Sequence, residues 1–435
     1  MRNQFMYIKQ INFLILLFGS LVTAQNQMEV ARSIIDTLTS PYFAGRGYTN
    51  DGMDKTANYL ASEFQNIGIK KLGTSYFQEF SMPINVIQNA ELTLNGKKLR
   101  YGYDFIAKPN SKGQYYHKKD IYLFRPNKFS NALKSKSTLI DFIQEDMIAQ
   151  RNKHIVFPPY TFDVDSLNQY YKHWASVYRP KENQNRSIFF FTKDKLTSSL
   201  SQTQDSISAF IIKSTFYSDS LTIDDYKIKS QFTSSFKAKN IIGKIDGTTN
   251  DSLIVITAHY DHLGKIGNTY FPGANDNASG VAFLLELANY FSKHPPKYTL
   301  IFIAFTAEEA GLVGSSYFVK NPLINLSKIR FLLNFDIMGT GEDGIQIVNS
   351  SIFTKEYEHL NQINSKHKLI KQIKRRGEAC NSDHCPFHEK GIPSFFIYTL
   401  GDSKFYHDVY DKADSLSLSE FEDLQKLFIE FIQTL

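Results

Sequence analysis

The chain has 435 residues, 42% hydrophobic and 21% charged, with 36 Phe and 25 Tyr against a single Trp. These proportions exclude whole-chain disorder and fibrous repeats, and the length favours two or three domains able to bury a core. A formal net charge of +6, scattered along the chain, is too mild to argue for a nucleic-acid partner.

Residues 1–24 read as a secretory signal peptide. Arg2 and Lys9 give a positive start, Ile11 to Val22 is almost continuously apolar, and Val22-Thr23-Ala24 offers small residues for cleavage. The apolar run falls short of the ~20 residues of a comfortable membrane span. Cleavage would lower the net charge to +4 and leave an exported chain, periplasmic or extracellular, with no stable membrane insertion.

The stretch DKTANYLASEFQNIGI places Ala57, Leu60, Ala61, Phe64 and Ile67 at helical spacing, with Gly68 as a stop signal. YFQEFSMPINV alternates as a strand. Across 91–235, short β-like runs (AELTLNG, DIYLF, SIFFF, SAFIIK) are separated by Tyr-, Lys-, Ser- and Asn-rich stretches, and the spacing suggests a mostly β insertion or lid. From 236 onward the pattern becomes regular. NIIGKID, SLIVITAHY, YTLIFIAFTA, IRFLLNFDIMG, IQIVNS and PSFFIYTL read as strands. SGVAFLLELANYFSK, EYEHLNQINSKH and SEFEDLQKLFIEFIQ read as helices. Nearly continuous apolar strands alternating with helices predict an α/β fold, a mixed, mostly parallel central sheet covered on both faces. The expected division is therefore 25–90 with 236–435 as one domain, interrupted by 91–235.

Eight of the eleven His follow residue 236, and polar residues gather where strands end, the usual ligand edge of an open α/β sheet. AHYDHLG puts His259, Asp261 and His262 directly after a strand; His259 can offer a ring nitrogen to a metal while Asp261 holds the other nitrogen. In GANDNASG, Asp276 sits among small residues before a helix, where it can bridge two cations or simply cap the helix. FTAEEAGLVGS sets Glu308 and Glu309 side by side. Two adjacent carboxylates at the end of an apolar strand are costly without a cation, and one can ligate while the other acts as general base. Asp336 ends the apolar strand NFDIMG and needs a partner. Tyr406 and His407 lie among several acids in KFYHDVYDKADS. Together these segments supply N/O ligands for two divalent ions, most naturally zinc.

Competing motifs are weaker. GTGEDG at 339–344 matches GxGxxG, but a strand follows it where a dinucleotide site requires a helix. No phosphate-binding loop or GxSxG elbow is present. Lys371, Lys374, Arg375 and Arg376 read as a solvated helix end. Cys380 and Cys385 are the only cysteines, compatible with either a small-loop disulfide or free thiols.

The ordered set AHYDHLG, GANDNASG, FTAEEAGLVGS, NFDIMG, SDHCPF with GIPSFF, and FYHDVYDKAD resembles the co-catalytic di-zinc aminopeptidases, metallopeptidase family 28, relatives of exported bacterial aminopeptidases and glutamate carboxypeptidase. SPYFAGRGYTNDGMDKTANYLASEF is similar to that family's N-terminal segment. The resemblance spans about 29–90 and 236–435. It implies a zinc-exopeptidase fold, peptide substrates, and two zinc ions per chain. His259 and Asp336 would hold one ion, Glu309 and His407 the other, and Asp276 both. Glu308 becomes the general acid/base, Asp261 orients His259, and Tyr406 steadies the oxyanion. Asp383 and His384, in the loop before PSFFIYTL, become substrate-pocket residues, and the Asp276–Asn277 peptide bond is expected cis. Every metal position carries a fitting residue type, which argues against a non-catalytic binding protein on the same scaffold. His259 argues against a single-zinc glutaminyl-cyclase-like enzyme, while a carboxypeptidase specificity stays open.

Overall fold

The computed structural model describes residues 28–117, 120–124, 153–159 and 186–435. The expected signal peptide at 1–24 and part of the 91–235 segment lie outside them. Helix α1 covers 28–38. It is followed by α2 (Gly52–Ile67), β1 (Phe77–Leu94), β2 (Ile223–Ile245), β3 (Thr249–His259), α3 (Gly280–Lys293) and β4 (Tyr298–Phe305). The chain continues through α4 (Val313–Lys320), β5 (Ile329–Phe335), β6 (Ile345–Val348), α5 (Thr354–His367), β7 (Ile373–Arg375), β8 (Ser394–Thr399) and α6 (Phe421–Thr434).

The main sheet runs β7–β6–β8–β5–β3–β4–β2–β1, with Lys97–Lys98 on the outer edge. Its centre is parallel, β4 with β3, β3 with β5, and β5 with β8. The flanks introduce antiparallel pairs, β4 with β2, β2 with β1, and β6 with β8. Residue alternation explains why the central strands are apolar throughout. Ile254, Ile256 and Ala258 of β3 join Leu300, Phe302 and Ala304 of β4 in a core that includes residues of α2, α3 and α6. The intervening Val255, Ile301, Ile303 and Phe305 face the other side and pack with Phe318 and Val319 of α4. Each such fully buried side chain contributes roughly 1.5–3 kcal/mol, so a strand covered on both faces has no reason to alternate in polarity.

Two readings need correction. YFQEFSMPINV and AELTLNG are one strand, β1, rather than two. Pro83 is accommodated because the pairing with β2 slips between Met82 and Ile84, so no ladder hydrogen bond is demanded of it. NIIGKID is likewise only the end of β2. This long pair serves two cores: Met82, Ile84, Ile241 and Ile245 pack in the main one. Ala90, Leu92, Tyr226 and Ile228 pack in a second one.

The second core backs a five-stranded sheet in the order Phe105–Ala107, Ser208–Lys213, Ser187–Thr192, His154–Phe157, Ile121–Leu123. Only the first pair is antiparallel; the others are parallel. Phe189 stacks on Phe210 with ring centroids 4.9 Å apart, and both meet Tyr226 of β2 edge-on. Among the described residues no helix is long and apolar enough to cross a membrane.

Candidate metal centre

The parallel strands end on one edge, and the acids and histidines stand there. His259 is the last residue of β3, and Asp336 directly follows β5. Glu308 and Glu309 lie just beyond β4, Asp276 lies in the loop entering α3, and His407 comes from the loop after β8. The backbone is bent to present them: Ala307, Ile337 and His407 are left-handed, with φ of 57° at each. Such conformations at non-glycine residues cost on the order of 1–3 kcal/mol each and concentrate at functional sites. The Asp276–Asn277 bond is cis, as expected.

The side chains form two triads sharing one carboxylate. His259 Nε2 is 3.3 Å from Asp276 Oδ1 and 3.3 Å from Asp336 Oδ1. His407 Nε2 is 3.2 Å from Asp276 Oδ2 and 2.8 Å from Glu309 Oε2. On the far side of each ring, Nδ1 faces a backbone carbonyl, Asp261 O at 3.1 Å for His259 and Ser198 O at 3.0 Å for His407. A carbonyl only accepts, so each Nδ1 carries a proton and each Nε2 is left facing carboxylate oxygens. Nε2 can meet those oxygens only with positive charge between them, a second ring proton or a metal ion that takes its place. Among the described residues, the metal-capable cluster away from this edge, Cys380, Cys385 and Glu389, is closed off because the two cysteines form a disulfide, Cα atoms 4.9 Å apart.

Without a metal, the carboxylates draw that charge onto the rings as protons. Burial opposes a charge on His407, yet Glu309 and Asp276 outweigh it and push the imidazole up to about 11. The paired glutamates are driven apart. Burial, reinforced by Asp383, Glu309 and Asp336, holds the Glu308 carboxyl well above the usual range. Against burial, His407 and His262 hold Glu309 down at about 2. Adjacent carboxyls with opposed shifts are the pattern of a proton carrier beside a permanent anion.

The surrounding residues explain the rigidity of the site. Arg46 is completely buried and its guanidinium donates to the carbonyls of Tyr260 at 2.9 Å, Leu38 at 3.2 Å, Pro272 at 2.6 Å, Gly273 at 2.6 Å and Asp276 at 3.3 Å. It ties the His259 loop to the Asp276 loop. Asp411 accepts the backbone N–H groups of Asn275 at 2.9 Å and Asp276 at 3.0 Å. A buried relay runs from Thr257 to Asn334 to Ser382 to Asp336 through bonds of 2.7, 2.8 and 3.0 Å. His262 Nδ1 donates to Glu309 Oε1 over 2.6 Å. None of these supporting roles was assigned from the sequence. His262 had a signal in the HxDH spacing and Asp411 in FYHDVYDKAD, but Arg46 meets backbone carbonyls, which leave no trace in side-chain pattern.

Several expectations change. Asp261 supports His259 through its backbone carbonyl; its carboxylate is 3.9 Å from Nδ1 and instead accepts the Glu308 N–H at 3.1 Å. The side chain therefore anchors Glu308 and orients His259 only indirectly. Tyr406 is half-exposed and lies flat on the His407 ring, centroids 3.8 Å apart. Burial and the site carboxylates raise its phenol, so it stays a donor. Asp383 and His384 do not line an open pocket, because both are fully buried. His384 stacks on Phe396, bonds the Ala379 carbonyl at 2.8 Å, and is lowered to about 4 by burial. Burial raises Asp383 to about 7. That loop reaches the site through its neighbour Ser382. The basic cluster ends on edge strand β7 rather than a helix, where Lys371 pairs with Asp343 and Arg375 with Glu358.

A metal fits these residues. Asp276 Oδ2, Asp336 Oδ1 and His262 Nε2 are buried atoms without a hydrogen bond. Leaving such groups unmatched costs several kcal/mol, of the order of 1–3 each, more when charged. The mixture of imidazole and carboxylate donors, with no thiolate, suits zinc and provides fewer ligands than a closed structural site.

Comparison with known proteins agrees. Residues 240–432 match the model of peptidase family M28. Aminopeptidase YwaD of Bacillus subtilis is 33% identical over 192 residues, covering 41% of this chain and 41% of that protein. A probable leucine aminopeptidase of Trichophyton verrucosum is 28% identical over 218 residues, covering 46% of this chain and 57% of that one. The chain thus spans less than two thirds of the length of these relatives. A zinc aminopeptidase structure from Bacillus subtilis superimposes with a TM-score of 0.65 at 21% identity, covering 93% of this chain and 94% of the other. An M28 peptidase precursor from Shewanella amazonensis gives 0.67 at 16% identity, covering 96% of each. These two likenesses are of fold. Residues 240–432 are thus similar to peptidase family M28.

Proposed function

We propose that this protein is an exported di-zinc aminopeptidase that removes N-terminal residues from peptides, with 1–24 as its signal peptide and the periplasm or the extracellular space as its place of work. The observation that carries the reading is the pair of imidazoles whose Nε2 atoms face three buried carboxylates, one of them shared. His259 and Asp336 would hold one zinc, Glu309 and His407 the other, and Asp276 both. The names of the curated relatives support cleavage at the amino terminus.

The two zinc ions, when bound, polarise the scissile carbonyl and lower the pKa of the attacking water. Glu308 takes the proton from that water as it attacks. Its raised pKa keeps it able to hold the proton and then deliver it to the departing amine, so one carboxyl serves as base and then acid. Asp261 fixes the backbone beneath Glu308, which keeps the carboxyl in place between the two steps. Tyr406, protonated and braced on the His407 ring, donates to the oxyanion. The 91–235 segment would be an inserted domain, joined to the peptidase domain through the long β1–β2 pair.

The test is hydrolysis of matched free-amine and N-blocked aminoacyl substrates by the mature protein, with and without a chelator. Cleavage of only the free-amine series, abolished by chelation and restored by zinc, is the expected result. Cleavage of blocked substrates at equal rate overturns the aminopeptidase reading.

A further inference from the structure

The loop that presents His407 is not held by the main sheet alone. A strap at 195–202, between the second sheet's strands Ser187–Thr192 and Ser208–Lys213, lies against it. The Lys195 ammonium donates to the carbonyls of Lys404 at 2.6 Å and Tyr406 at 2.8 Å, and pairs with Asp408 at 2.8 Å. The Ser198 N–H donates to the His407 carbonyl at 3.1 Å. In return His407 Nδ1 donates to the Ser198 carbonyl at 3.0 Å. Farther along, the Gln202 amide donates to the Ala310 carbonyl at 2.7 Å, gripping the loop that carries Glu309. Leu200 packs against both cores, and buried Leu196 belongs to the second. His407 and Glu309 are the two side chains outside the shared Asp276 in one triad. The other triad is braced from within the main domain, by the Asp261 carbonyl and the Ser382 relay.

We propose that the 195–202 strap of the inserted domain is a positioning element of the Glu309/His407 metal site, fixing the His407 tautomer through Ser198 and the spacing of the two ligand loops through Lys195 and Gln202. The inserted domain is then part of one metal site and not of the other. Any displacement of its sheet changes the affinity of that site first. This inference rests on the di-zinc reading above.

Loss of the strap's contacts affects the two metal sites unequally. Groups that orient metal-facing histidines typically contribute 10–100-fold in metal affinity. Lys195 is exposed and Gln202 half-buried, and neither belongs to a hydrophobic core, so truncating them opens no core cavity. The experiment is zinc titration of chelator-stripped, full-length mature protein against a competing chromophoric chelator, comparing wild type with Lys195→Ala/Gln202→Ala, with each single variant, and with Lys195→Arg. Expected is a 10–100-fold rise in one dissociation constant of the double variant with the other within about twofold of wild type. Smaller rises in the singles, and partial recovery with Lys195→Arg, are expected alongside. Should the double variant fail to fold, the single variants decide by the same criterion. Wild-type constants at both sites, or equal weakening of both, overturn the strap's role. A wild-type protein that binds fewer than two ions overturns instead the di-zinc reading on which the strap's role depends.

Discussion

Replacing Arg46 by lysine probes how the two ligand loops are locked together. The guanidinium spans five carbonyls from Leu38, Tyr260, the Pro272–Gly273 turn and Asp276, using Nε on one edge and both Nη atoms on the other. Burial lowers it only to about 10, with Asp411, Asp276 and Asp261 opposing the loss of charge, so it is a cation at neutral pH. An ammonium has three donors on one atom and cannot reach both edges of the fork, so at least two of the five bonds are lost. At roughly 1.5–3 kcal/mol per charge-assisted bond, Arg46→Lys costs about 3–6 kcal/mol, a large part of a typical total of about 5–15 kcal/mol. Because Tyr260 separates His259 from Asp261, and Asp276 is itself a clamped residue, zinc affinity falls together with stability. Thermal unfolding of stripped and zinc-loaded protein, with metal content measured on the same samples, reads both. A variant that unfolds with wild type in both states and binds zinc as tightly would refute the clamp.

The remaining predictions follow from the same geometry. Glu308→Gln retains the metals and loses about 10²–10⁴-fold in turnover, while Glu309→Gln lowers the metal content; opposite metal contents would reverse the pair. Ser382→Ala weakens zinc at the His259/Asp336 site by about 10–100-fold, whereas His384→Ala lowers the unfolding temperature and leaves zinc affinity unchanged. Loss of a zinc in His384→Ala contradicts its placement behind the site. Glu286, buried in α3, is raised by burial from 4.5 to about 7. The folded state therefore holds a proton the unfolded state has lost, and stability declines between pH 4.5 and about 7. Glu286→Gln should match wild type below that window and exceed it by up to about 3 kcal/mol above it, measured by denaturant unfolding at pH 4 and 8; an equal difference at both pH values refutes the assignment.

What could be read from the sequence follows from where information is stored. Central strands such as YTLIFIAF announce themselves because both faces are covered, and carboxylates or imidazoles at their ends stand out against that background. The Glu308–Glu309 pair is legible for the same reason. Backbone acceptors are not. Arg46 is anchored by five carbonyls and His407 by the Ser198 carbonyl, and a carbonyl is present at every residue. Asp383 and His384 misled because polar loop residues look solvent-facing unless the packing of Phe396 against them is known. The second sheet was seen only as β-rich, since parallel pairing across long intervening segments leaves no turn signature to count.

We propose that the two triads sharing Asp276 hold two metal ions. Native mass spectrometry of the mature protein, stripped and then titrated with zinc, tests it most directly, with Asp276→Asn measured alongside. Expected are saturation at two zinc ions per chain in the wild type and impaired binding of both ions in the variant. Saturation at one ion or none, or full occupancy of both sites in Asp276→Asn, would contradict it.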